Sequence, residues 1–219
     1  MKYSIYFASL LLAVVTLGQS KREIKSTTIE GKKVKYGILL PKNFDPNQTY
    51  PVAIGPSEVK GPDDQSYYWR GIKDTKGWIL LDYPIYDASN RVAEIKSFMG
   101  FVRKNYKVEG SKFHTVCFSA NSAGIFDLVM KMPEDFHSIT GMAGNPSSRN
   151  TNDFKKLEKV KVRFIVGDKD TYWMNAAKDR HQKMLDAGID SKIEIIKNGK
   201  HVLTDFIGSK MVDHFETLR

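Results

Sequence analysis

Short β-branched and aromatic runs recur between stretches of helical spacing, and this alternation restricts the fold more than any other property of the chain. The runs occupy residues 34–40, 50–54, 77–82, 113–118, 138–143, 162–166 and 192–196. Several are almost continuously apolar, as strands covered on both faces of a sheet must be. Between them, residues 91–106 set Val92, Ile95, Met99 and Val102 on one stripe. Residues 121–132 do the same with Ile125, Leu128, Val129 and Met132 before Pro133 stops the helix. Residues 173–187, followed by a capping Gly188, and residues 204–218 read as two more helices. The pattern predicts an α/β chain: a mostly parallel, twisted sheet with helices on both faces and right-handed crossovers. The first strands have no helix between them, which predicts an antiparallel N-terminal edge.

At 219 residues the chain can bury one sizeable core. Residues 1–19 stand apart. Lys2 precedes an apolar run at 10–17 that gives way to Gly18, Gln19 and Ser20, the pattern of a secretory signal peptide. That run is shorter than the roughly 20 residues that cross a bilayer, and no cysteine follows it to accept a lipid. The expected division is a signal peptide at 1–19 and one domain at 20–219. Export to the periplasm or beyond the cell follows, with no membrane span once the leader is removed.

Cys117 is the single cysteine, so no internal disulfide forms, and its place in an apolar run makes it a small core residue. The formal net charge is +9. The lysines are scattered and lack the arginine–aromatic interleaving of single-stranded nucleic-acid binders, so the charge reads as a solvated basic face.

In open α/β sheets ligands bind beyond the carboxyl ends of the strands. Three such ends carry reactive side chains. The run 113–118 passes through Ser119 into a helix, the layout of a strained turn that exposes a serine hydroxyl in front of a helix N-terminus. The run 162–166 leads to Gly167, Asp168, Lys169 and Asp170. The run 192–196 leads through Asn198 and Gly199 to His201.

On these segments the chain resembles the α/β-hydrolase superfamily, and most nearly its small secreted esterases of the dienelactone-hydrolase, feruloyl-esterase and polyhydroxybutyrate-depolymerase type. The order Ser, Asp, His is that superfamily's order. The resemblance implies the α/β-hydrolase fold; the sequence itself leaves little room for a large lid domain, since only about fifteen residues, 145–160, separate two strand regions there. It implies a Ser119–His201–Asp170 triad that cleaves carboxylic esters, of small molecules or of acyl groups on polysaccharides, through an acyl-enzyme and without a cofactor. The N–H of Ala120 supplies one oxyanion donor and Ser57, after an early strand, the other.

Two departures stand against that pattern. The usual Gly-x-Ser-x-Gly reads Cys117-Phe118-Ser119-Ala120-Asn121, and Ser122, in Ala120-Asn121-Ser122-Ala123-Gly124, is the alternative nucleophile. The usual His-Gly pair is missing from the oxyanion loop, where Pro56 has no N–H to give. A non-catalytic binding module on the same fold is therefore the competing reading; a peptidase of the prolyl-oligopeptidase type ranks last, since those enzymes carry a further domain. Tyr68, Trp69, Tyr83 and Trp173 follow strand ends and are candidates for the substrate pocket, although core packing accounts for each about as well. His114, His137, His181 and His214 lack metal-ligand spacing and read as structural or surface residues, and no metal site is expected.

Overall fold

The computed structural model describes residues 20, 22–56, 67–83, 85 and 90–219. The leader at 1–19 lies outside the described residues. The first two strands, β1 (Arg22–Ile29) and β2 (Lys32–Leu39), form a hairpin. A two-residue strand β3 (Thr49–Tyr50) precedes β4 (Val52–Pro56), and β5 (Ile79–Tyr83) follows. Helix α1 (Val92–Asn105) leads to the short β6 (Lys107–Val108), which pairs with β3 outside the main sheet. The chain then runs β7 (Phe113–Phe118), α2 (Ser122–Lys131), β8 (Phe136–Met142), α3 (Thr151–Phe154) and β9 (Lys161–Gly167). It closes with α4 (Thr171–Asp186), β10 (Ser191–Ile196) and α5 (Ser209–Glu216).

Eight strands make the main sheet in the order β1-β2-β5-β4-β7-β8-β9-β10. From β5 to β10 every pairing is parallel, whereas β1 pairs β2 and β2 pairs β5 antiparallel. The predicted mixed sheet with its antiparallel N-terminal edge is the observed one. The strand order reverses at β4: the chain steps outward to β5 and then returns to lay β7 on the opposite side of β4. Such a reversal opens a crevice at the carboxyl ends of the two strands, and Ser119 stands there.

Two apolar clusters lie on the two faces. On one, α1, α2 and α4 press Phe98, Ile125, Phe126, Ala177 and Met184 against Ile54, Leu81, Cys117, Ile139 and Phe164. On the other, α5 brings Met211, Val212 and Phe215 to Trp69, Trp78, Leu80, Val116 and Ile165. The apolar character of the central strands on both faces follows from this double cover.

Two expectations are corrected. The helix expected over 204–218 is broken: a 3₁₀ turn at Thr204–Phe206 is separated from α5 by Gly208 at φ 72°, and α5 restarts at Ser209. Strand β1 also adds an edge that the sequence pattern does not announce.

Candidate functional site

Strand β7 ends at Phe118, and the chain turns through a 3₁₀ step at Ser119–Asn121 directly into α2. Ser119 sits at φ 52°, a left-handed conformation that costs an L-residue roughly 1–2 kcal/mol and persists only where its surroundings fix it. The turn lifts the Ser119 hydroxyl above the sheet. The next residue, Ala120, is exposed, and its N–H lies at the head of the turn into α2.

Strand β9 ends at Gly167 and carries Asp170 to the N-cap of α4. Strand β10 ends at Ile196, and a turn with Asn198 at φ 59° delivers His201. The two loops are zipped together by their backbones: Asp168 N donates to Ile196 O at 3.0 Å, and Lys169 N to Gly199 O at 2.9 Å. Gly167 and Gly199 face each other so closely that a Cβ on Gly167 would lie 2.1 Å from the Gly199 carbonyl oxygen. No other residue type fits at that crossing.

This framework brings three side chains into line. The Asp170 carboxylate accepts a hydrogen bond at 2.6 Å from His201 Nδ1, and His201 Nε2 lies 2.9 Å from Ser119 Oγ. Because a carboxylate only accepts, Nδ1 carries the proton and Nε2 is left free to accept the serine proton. Asp170 is largely shielded, its side chain 11% exposed, while His201 at 39% stays open to solvent and ligand. The imidazole is flanked by the rings of Phe118 at 5.0 Å and Trp173 at 5.8 Å. Tyr172, 76% exposed, stands edge-on against Trp173.

Ser122 is placed otherwise. Its hydroxyl is fully buried, accepts from Asn145 N at 2.9 Å and donates to the carbonyl of Ser119. Cys117, two residues before Ser119, is buried with its sulfur 3.5 Å from Thr140 O, and burial pushes its thiol pKa up, away from the reactive thiolate. Cys117 pairs with Gly141 of β8, so the room that a glycine in the elbow would give is found on the neighbouring strand.

Of the pocket candidates, Trp173 flanks His201, and Tyr68 lines a narrow cleft with Phe118, Met142, His201, Val202 and Leu203. Trp69 and Tyr83 are core residues instead. Trp69 is buried with its Nε1 donating to Asp82 at 2.6 Å, and Tyr83 stacks on Phe98 at 3.9 Å with its hydroxyl donating to Glu94. Their strand-end positions misled because aromatic residues serve packing and pockets equally. Ser57 lies outside the described residues. Asp170, not Asp168, meets the histidine; Asp168 Oδ1 is buried and has no hydrogen-bond partner among the described residues. Sequence reading missed Tyr172 and the Gly141–Gly144 segment; a glycine pair just after the strand beside the elbow was the available signal. Among the described residues no group of three or more His, Cys, Asp or Glu side chains is placed to hold a metal ion, and no helix is long and apolar enough to cross a membrane.

Comparison with known proteins gives a fold likeness. No protein-family model matches the chain, and no curated protein matches it by sequence. Among solved structures, a serine-to-alanine mutant of the feruloyl esterase module from Clostridium thermocellum, complexed with sinapinate, superposes with a TM-score of 0.71 at 11% identity, over 97% of this chain and 94% of that one. A thermostable esterase gives 0.64 at 11% identity, over 90% of this chain and 62% of that one. A provisional dipeptidyl aminopeptidase IV from Bacteroides ovatus gives 0.65 at 15% identity and covers 91% of this chain. The chain spans 35% of the length of that aminopeptidase.

Proposed function

The chain has the α/β-hydrolase fold, and from that premise we propose that it is a serine hydrolase that cleaves carboxylic esters, either of small molecules or of acyl groups carried on polysaccharides. The observation that carries the reading is the continuous hydrogen-bonded line from Asp170 through His201 to Ser119. Nothing in core packing requires a half-exposed histidine to bond a serine in a strained conformation and a shielded carboxylate at once.

In the proposed reaction His201 Nε2 takes the Ser119 proton as Oγ attacks the ester carbonyl. Asp170 holds the imidazole in the needed tautomer and stabilises the imidazolium that forms. The Ala120 N–H, at the head of the turn, donates to the developing oxyanion. Collapse of the tetrahedral intermediate releases the alcohol, which takes the proton back from His201, and leaves an acyl-Ser119. Water, deprotonated by the same imidazole, then frees the acid. The leader pattern at 1–19 supports an exported enzyme, and the feruloyl esterase likeness, which spans nearly the whole of both chains, supports an ester substrate.

The competing binding-module reading expects a serine hydroxyl beyond reach of the histidine, and Ser119 Oγ is 2.9 Å from it. The test is labelling of the purified protein with a fluorophosphonate, followed by mass mapping. The expected adduct is on Ser119 and disappears in His201→Ala. A folded protein that takes no label would remove the hydrolase reading.

A further inference from the structure

Ser122 has no role in the reaction as written, yet its hydroxyl is held between the backbones of two segments at the site. It is wholly inaccessible. Its Oγ accepts from the backbone N–H of Asn145 at 2.9 Å and donates to the backbone carbonyl of Ser119, with the Asn145 carbonyl 3.3 Å away as a second acceptor. One hydroxyl therefore ties the backbone of Ser119 to the loop that follows β8.

The space around it is cleared for that contact. A Cβ on Gly144 would come within 2.7 Å of both Ser122 Cβ and Oγ and 3.3 Å of the Ser119 backbone nitrogen. A Cβ on Gly141 would come within 2.3 Å of the Gly144 carbonyl oxygen. Both glycines are thus needed for the loop to approach the elbow, and the hydroxyl is what fastens it there. Ala143, between them, takes φ 40°, a second non-glycine residue in a conformation that only its surroundings sustain.

We propose that Ser122 is a positioning residue for the nucleophile: it braces Ser119 in its left-handed conformation by anchoring the elbow to the Gly144–Asn145 loop. The proposal rests on Ser119 being the nucleophile. Removing the hydroxyl leaves the Asn145 N–H and the Ser119 carbonyl without this partner. The elbow can then relax toward ordinary φ, which moves Oγ off the line to His201. Small displacements of a reacting atom lower rates steeply, by about 100-fold for roughly 1 Å.

The experiment compares wild type, Ser119→Ala and Ser122→Ala in fluorophosphonate labelling rate, in kcat and KM on a small ester, and in thermal unfolding. The brace predicts that folded Ser122→Ala labels on Ser119 roughly 10- to 100-fold more slowly, with kcat falling by a similar factor and KM little changed. A merely structural serine would lower the unfolding temperature but leave the labelling rate of the folded protein within twofold, which overturns the brace and leaves Ser119 as nucleophile. A wild-type adduct on Ser122, or no adduct on wild type, overturns both the brace and the reading beneath it. If Ser122→Ala does not fold, Ser122→Cys keeps the same number of side-chain atoms with a weaker donor, and the same slowed labelling is expected; unchanged labelling there overturns the brace.

Discussion

At the residue scale the site is made as much by missing side chains as by present ones. Gly167 and Gly199 let the acid loop and the histidine loop touch backbone to backbone, and the Asp170–His201 contact depends on that approach. Gly167→Ala places a methyl group 2.1 Å from a carbonyl oxygen that has no flexible side chain to move aside. The variant is expected to lose about 1–3 kcal/mol of stability from overpacking and, more tellingly, most of its activity, because the loops must part to admit it. Chemical denaturation alongside an ester assay checks both; an active Gly167→Ala enzyme would mean that the loops are not held by their crossing. That Ser119, Asp170 and His201 would meet was legible in the chain, since each follows a strand in an α/β pattern and the carboxyl ends of such strands converge. The choice between Ser119 and Ser122 was harder to read. Both stand where a strand gives way to a helix; the end of β7 at Phe118, the bond from His201 to Ser119 and the buried partners of Ser122 separate them.

At the scale of elements the central strands were readable and the first edge was not. Strand β7 coincides with its apolar run because it is buried on both faces, and α1 and α2 follow their stripes to within a residue or two. Strand β1 hides because an edge strand needs little apolar surface: most of its residues are polar, and only Ile29 is buried. What fastens it is a charge. Arg22 pairs with the fully buried Asp82 at 2.6 Å, and Gly37 opposite Asp82 leaves the space that both side chains fill. The same carboxylate accepts from Trp69, whose ring occupies the place of the missing side chain at Gly55, near the end of β4. Arg22→Ala leaves a buried carboxylate short of its cation, and a loss of about 3–5 kcal/mol is expected in urea unfolding. A loss under about 1 kcal/mol would mean that the pair contributes no more than a surface ion pair.

For the molecule as a whole, the sheet carries an acid-sensitive load on the face away from α1, α2 and α4. Burial holds His114 down to about 3 and His214 to about 4. His114 Nδ1 is bonded with Ser138 and His214 Nε2 with Thr140, while His137, Lys161 and Arg219 add positive potential around His114 and Arg163 does so at His214. Both residues are neutral in the folded protein at neutral pH, whereas in the unfolded chain they titrate near 6.5. Their contribution is complete above that value. It is lost as the pH falls toward 4, with a slope approaching about 1.4 kcal/mol per pH unit for each histidine. The unfolding temperature is expected to drop between pH 7.5 and 5, less so in His214→Gln; a flat profile would mean that neither histidine is held neutral by the fold. The depressed carboxyls, such as Asp190 beside Arg163, act in the same direction only at lower pH. This behaviour was not legible from the sequence, where the same histidines read as structural or surface residues, because burial on one face of a sheet is a property of strand order.

Strand order also sets the ruler on which such a site is built. Ser119, the Gly144–Asn145 loop, Asp170 and His201 hang from β7, β8, β9 and β10, four consecutive neighbours in the sheet. Their spacing is therefore measured in strand widths of about 4.8 Å and in the steady rotation from each strand to the next, not in residues along the chain. Crossover helices can lengthen, shorten or change composition on the outside without altering that measure. Sequence can thus change widely while the fold persists, as the 11–15% identity between this chain and solved structures of like fold illustrates.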